Sequence, residues 1–204
     1  MIVTKKAFYI PITICIVLLH ACKSAISYYS LPTFVNEGTV NCVVEIAAGT
    51  NKKYEYNPTL NTFVIDQENS QNRIIDFLPY PANYGFIPST ISKEDGGGDG
   101  DALDVLVISE ALATGTAIES IPIAVLKLID DGEIDYKVIA VPANKKARVI
   151  NAISFEEMLS TYPNLLKILE LWFLNYNKND VSLVEGWGNE KEAAQEIKRH
   201  LKTR

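Results

Sequence analysis

The sequence is short of cysteine and histidine, with three of the first and two of the second in 204 residues. It also lacks a basic stretch, and its N-terminal apolar run stops short of membrane length. Each shortage excludes something. Lys and Arg number 19 against 25 Asp and Glu, for a net charge of −6. Such an acidic chain has no electrostatic footprint for nucleic acid. The uncharged, mostly apolar stretch from Ala7 to Leu19 has 13 residues, whereas a spanning helix takes roughly 20. No internal repeat or low-complexity segment is present.

That apolar stretch follows Lys5 and Lys6 and ends in Leu18-Leu19-His20-Ala21-Cys22. Its length suits the core of a signal peptide, and its end resembles the lipobox of bacterial lipoproteins, in which the cysteine is lipidated. The expectation is a leader over 1–21, a lipidated Cys22 and a tether or extended arm over 22–39. Loss of Lys5 and Lys6 with the leader would take the net charge from −6 to −8. Cys15 would depart too, which leaves Cys42 without an internal disulfide partner. Cys42, inside an apolar run, reads as a buried strand residue.

The domain proper is expected over 40–204. Val40 to Ile46 is strand-like, and Lys53-Tyr54-Glu55-Tyr56 alternates, so Lys53 and Glu55 share a face. Asn57-Pro58 marks a turn, and Thr62 to Ile65 the return strand. Further strands are expected at Asp104–Ile108, Ile121–Ile129 and Tyr136–Val141. Five or more strands at short spacing suggest a small antiparallel barrel. Helices come later. Ser154 with Glu157 forms a capping-box pattern, a helix is expected after Pro163, and a second box at Asn189 opens a C-terminal helix. The class is α+β.

The strongest chemical feature is Gly96-Gly97-Gly98-Asp99-Gly100-Asp101-Ala102-Leu103-Asp104. Three carboxylates in six residues repel one another unless a cation sits among them. Oxygen ligands with no His or Cys beside them favour Mg²⁺, Mn²⁺ or Ca²⁺ over zinc. A calcium EF-hand loop is excluded: counted from Asp95, its third position is Gly97 and its twelfth Leu106, where a Glu is needed. A second acidic group, Asp130-Asp131-Gly132-Glu133-Ile134-Asp135, is followed by Lys137. Asp135 and Lys137 fall on one strand face, an anion partner beside a cation ligand. Alone, each such pair could equally be a surface salt bridge. Tyr80 and Tyr84 lie in a segment stiffened by Pro79, Pro81 and Pro88, suited to holding phenolic donors in place.

Together these segments resemble the soluble inorganic pyrophosphatases. The most specific piece is Asp99-Gly100-Asp101-Ala102-Leu103-Asp104, similar to the family's D-[SGDN]-D-[PE]-[LIVMF]-D signature. Supporting pieces are Glu45, Lys53-Tyr54-Glu55, Tyr80-Pro81-Ala82-Asn83-Tyr84-Gly85, Asp130 to Lys137, Asn175-Tyr176 and Val184-Glu185-Gly186-Trp187. The resemblance implies a five-stranded OB-type barrel with helices, and hydrolysis of diphosphate to two phosphates by a water shared between Mg²⁺ ions, with Mn²⁺ as a substitute. It implies Asp99, Asp104, Asp135, Asp130 and Glu55 as metal ligands, and Asp101 as general base. Lys53, Arg73, Tyr84, Lys137, Tyr176 and Lys178 would bind phosphate, with Glu45 and Tyr80 behind them. A homo-oligomer is implied as well.

Three positions depart from the family pattern: Ala102 replaces its usual Pro, Asn177 precedes Lys178 where Lys usually follows Tyr at once, and Arg73 stands one residue nearer Tyr80. The alternative is therefore a catalytically weakened metal- or phosphate-binding lipoprotein of the same fold. The leader places the protein in the cell envelope, the alternative being the cytoplasm usual for the family.

Overall fold

The computed structural model describes residues 27–202. The expected leader and Cys22 lie outside these residues. Twelve strands follow in order: β1 (Phe34–Asn36), β2 (Thr39–Ile46), β3 (Tyr54–Asn57), β4 (Thr62–Ile65), β5 (Gln67–Glu68), β6 (Gln71–Asn72), β7 (Asn83–Phe86), β8 (Asp104–Val107), β9 (Ala117–Asp130), β10 (Glu133–Ile134), β11 (Lys137–Pro142) and β12 (Ser182–Asn189). Helices α1 (Phe155–Thr161) and α2 (Leu165–Phe173) precede β12, and α3 (Glu190–Arg199) follows it. Strands β2, β7, β8, β11 and β9 pair in that order, and β9 returns to β2. A five-stranded sheet is thereby closed, which leaves no open edge among its members.

The barrel and the α+β class agree with the expectation, with one amendment. β8 and β11 run parallel, Val105 facing Val138, while the other barrel pairs are antiparallel. The sheet is therefore mixed. The reason is topological: β9 intervenes between β8 and β11 in the chain and reverses its direction. Six strands go unseen in the periodicity: the two- and three-residue strands β1, β5, β6 and β10, together with β7 inside the proline-rich segment and β12.

Apolar alternation divides the core. Val105, Val107, Val138 and Ala140 pack in one cluster with Cys42 and with Ile197 of α3. Leu106, Ile108, Ile139 and Val141 pack in a second with Met158, Leu169 and Trp172, and Val43, Tyr56 and Phe86 form a third. Strands buried on both faces read as continuous apolar runs, as these do. Cys42 is fully buried, and burial pushes its thiol up to about 12.

Helix ends follow the expected chemistry. The Asn189 side chain accepts from the Glu192 N–H while Glu192 caps Asn189 in return. At α1 only half the box forms: Ser154 accepts from Glu157 N–H, but the Glu157 carboxylate takes the N–H of Ile153. No helix among the described residues is long and apolar enough to cross a membrane.

Candidate active site

Strand register brings the candidate residues together. Because β8 and β11 are parallel with Val105 opposite Val138, Asp104 and Lys137 lie at the same end of neighbouring strands. The Lys137 ammonium bonds to the carboxylates of both Asp104 and Asp135, so Asp135 and Lys137 do share a face. Tyr84, on β7 beside β8, donates its hydroxyl to Asp104. Lys137 is 3% exposed. Burial pulls its pKa down, but Asp104 and Asp135 outweigh this and hold it above the usual lysine range. Burial raises Asp104 to about 6, against the pull of Lys137.

The hairpin β3–β4 builds the second wall. Lys53 Nζ lies 2.7 Å from Glu55 Oε1 and 3.4 Å from Asp66 Oδ2. Arg73 Nη1 reaches the same Asp66 oxygen at 2.8 Å. Asp66 thus spaces the two cations, and its carboxyl stays below its ordinary range: partial burial opposes this, but the hydrogen bond and charge of Arg73 and the charge of Lys53 prevail. Sequence reasoning passed over Asp66. The signal was available, since Tyr54 faces Ile65 and one further step places Asp66 beside Lys53.

Glu45 joins this hairpin to the barrel. It sits where the β2–β7 register slips between Val44 and Ile46, the kind of irregularity that redirects a side chain. Opposite, a Cβ on Gly85 would come within 1.8 Å of the Val43 carbonyl oxygen, so only glycine fits that approach. Glu45 Oε1 accepts the Tyr56 N–H at 2.7 Å. Burial raises its carboxyl to about 8, opposed by that N–H and reinforced by Asp104 and Glu55. A raised acid is most stable protonated, so its contribution is full below about 4.5 and lost as pH climbs towards 8. E45Q keeps the acceptor without the charge. In metal-free melting experiments it should gain on the unaltered protein between pH 5 and pH 8, by up to a few kcal/mol. Parallel pH curves for the two would contradict this origin.

The acidic loop turns on left-handed Gly97 and Gly100, with φ of 87° and 86°, which glycine adopts at little steric cost. Asp99 Oδ1 accepts the Asp101 N–H at 2.9 Å, and the Asp101 carbonyl accepts from Ser92 N–H at 2.6 Å. The backbone is pinned while the Asp101 carboxylate faces the cavity. Desolvation at the cavity wall, then Asp99 and Glu55, push its pKa up, against Lys53. At the end of β9, Asp130 accepts from Ser182 Oγ at 2.6 Å and is likewise raised, chiefly by burial.

Aromatic rings form the remaining side. Trp172 of α2 packs on Tyr80 at 4.6 Å between centroids and stacks on Tyr176 at 4.8 Å, and Tyr80 meets Tyr84 at 5.4 Å. Trp172 Nε1 donates to the Leu78 carbonyl at 2.9 Å. Tyr176 is raised to about 12, first by burial, and stays a donor.

One cavity of about 450 Å³ takes in Glu45, Lys53, Glu55, Arg73, Tyr80, Tyr84, Asp99, Asp101, Asp104, Asp130, Asp135, Lys137 and Tyr176. Lys178 alone of the expected residues is elsewhere. It is exposed and lies 3.5 Å from Asp76, lining a neighbouring cavity with Asn177 and Asn179, because the chain swings out of the main cavity between Tyr176 and Asp180. The cavity also includes Asp180 and Tyr29, which sequence reasoning did not select.

Eight carboxylates line this cavity against three cations. The donor set is all oxygen, with no imidazole or thiol, and such a surplus fits hard divalent cations. Among the described residues no three carboxylates already converge on one point; Asp104 and Asp135 are joined through Lys137. A closed barrel with carboxylates, lysines, an arginine and phenols around one pocket has a donor set suited to hard cations and a compact polyanion. The model of the family described as inorganic pyrophosphatase matches residues 42–204. An inorganic pyrophosphatase of Neisseria meningitidis serogroup B is 37% identical over 174 residues, 83% of this chain and 91% of that protein. That of Haemophilus influenzae is 35% identical, covering 84% and 92%. Among solved structures, an inorganic pyrophosphatase from Neisseria gonorrhoeae superposes with a TM-score of 0.73 at 34% identity, covering 85% and 96% of the two chains. One from Thermus thermophilus gives 0.74 at 28%, covering 86% and 97%. The chain belongs to the inorganic pyrophosphatase family.

Proposed function

We propose that the chain hydrolyses diphosphate to two phosphates with Mg²⁺ as its cation. Family membership supports the reaction. The observation that carries the mechanism is the cavity's pairing of surplus carboxylates with cations held on fixed partners. Divalent cations bound there would screen the diphosphate charge and lower the pKa of an attacking water. Asp99, Asp104, Asp135, Asp130 and Glu55 would hold them. Asp101, its backbone pinned and its pKa raised, would accept the proton of the attacking water. Lys53 and Arg73, kept in place by Asp66, would neutralise the departing phosphate. Tyr84, Lys137 and Tyr176 would orient it, with Tyr80 and Glu45 supporting the site from behind. Most of the acceleration is then positioning and charge stabilisation. A titration of phosphate release against Mg²⁺, Mn²⁺ and Ca²⁺ tests the cation. Release in chelator at the rate seen with Mg²⁺ would overturn it.

We further propose an envelope location through lipidated Cys22, supported by Lys5, Lys6 and the stretch from Ala7 to Cys22. One acyl chain anchors weakly, so further lipid would be needed. Mass spectrometry of the membrane fraction should find acylated Cys22 as the first residue; soluble protein beginning at unmodified Met1 would contradict this. Within the expected arm, the described part packs on the barrel from Ser27, where Tyr56 donates its hydroxyl to Ser27 Oγ at 3.0 Å and accepts the Tyr28 N–H at 3.2 Å. A homo-oligomer completes the proposal, with light scattering as its check.

A further inference from the structure

Among the described residues, Tyr29 is the only cavity-lining side chain contributed from ahead of the barrel. Its surroundings fix the ring on several sides. The ring meets Tyr56 edge-on at 5.0 Å and Phe86 at 4.7 Å, and the Lys202 ammonium lies over it at 5.1 Å. The Tyr29 carbonyl accepts the Ser89 N–H at 3.1 Å. Anchors from β3, β7 and the C-terminal segment thus converge on one residue of a stretch with no periodicity of its own. Ala102, the position where the family pattern usually has Pro, packs on the same aromatic cluster.

What these contacts leave over is the hydroxyl. No hydrogen bond is made by it among the described residues, although those of Tyr84 and Tyr56 are both engaged. Burial, then Glu45, Asp101 and Glu55, keep Tyr29 above the ordinary tyrosine range, so it remains protonated and a donor. A protonated phenol at the edge of an acidic cavity, with no protein acceptor among the described residues taking it up, is a donor that an incoming anion can take over from water.

We propose that Tyr29 is a substrate-binding residue whose hydroxyl donates to a phosphoryl oxygen of diphosphate on the wall formed by Glu45, Glu55 and Asp101. The segment around it is then part of the active site and more than a spacer. This inference rests on the diphosphatase reading. Its test compares Y29F and Y29L with the unaltered full chain in three measurements: KM and kcat for diphosphate, calorimetric affinity for the non-hydrolysable analogue imidodiphosphate with Mg²⁺, and melting temperature. A hydrogen bond to a charged group predicts about a tenfold rise in KM and a matching loss of imidodiphosphate affinity in Y29F. Its kcat and melting temperature should stay near those of the unaltered protein, since the ring contacts are kept. Y29L should lose affinity to the same extent and melt lower. Unchanged imidodiphosphate affinity in Y29F would overturn the proposal. Failure of the unaltered chain to hydrolyse diphosphate would instead sink the parent reading, and the affinity comparison would still report on Tyr29.

Discussion

D101N should lower kcat for diphosphate by on the order of 10² or more, with KM changed only a few-fold. Asn is nearly isosteric, and the loop is held by the Ser92 and Asp99 contacts to the Asp101 backbone, so geometry survives while the proton acceptor is lost. The same substitution should leave the melting temperature unchanged or slightly higher at pH 8. The reason is the sign of the shift: Asp101 is raised by desolvation and by Asp99 and Glu55, so its charge costs stability in the metal-free fold. A ligand carboxylate would behave differently, since its loss would weaken cation binding first. Steady-state kinetics across a Mg²⁺ series separates these outcomes. Activity above about a tenth of the unaltered value would remove Asp101 from the role of base.

K137M should have the largest effect on stability. Lys137 is buried and bonded to Asp104 and Asp135 together. Its removal leaves two carboxylates facing each other in a desolvated place, which costs about 3–5 kcal/mol when a buried pair is broken. The deficit should grow from pH 5 to pH 8, because Asp104, raised to about 6 even beside Lys137, gives up its proton over that interval. Divalent cations should restore part of the loss by taking the place of the missing charge, following the logarithmic dependence of stability on ligand concentration. Melting experiments in chelator and in Mg²⁺ read both effects. Equal melting temperatures for K137M and the unaltered protein in chelator would show that the pair carries no such weight.

The hairpin of Lys53 and the strands from Asp104 and Ile121 were legible because their alternation or apolar continuity is local. The spacing of Asp135 and Lys137 correctly put them on one face. Nothing local, however, tells that β8 and β11 run parallel, and it is this register that brings Asp104 to the same ammonium. β7 was hidden because Pro79, Pro81 and Pro88 read as rigid turns, although Asn83–Phe86 between them is free to pair. Lys178 was misplaced in space by the same limitation: a spacing of two from Tyr176 cannot reveal that its side chain turns away towards Asp76. Tyr29 was overlooked in a stretch without periodicity, its position set by Tyr56, Phe86 and Lys202, which lie at least 27 positions away in sequence.

Phosphorus NMR of diphosphate mixed with the purified full chain and Mg²⁺ bears most directly on the central claim. The diphosphate resonance should be replaced by an inorganic phosphate resonance of equal area, which is two phosphates for each diphosphate consumed, and chelator should stop the conversion. A diphosphate resonance that persists unchanged with Mg²⁺ present, at protein concentrations where the fold is intact, would contradict it.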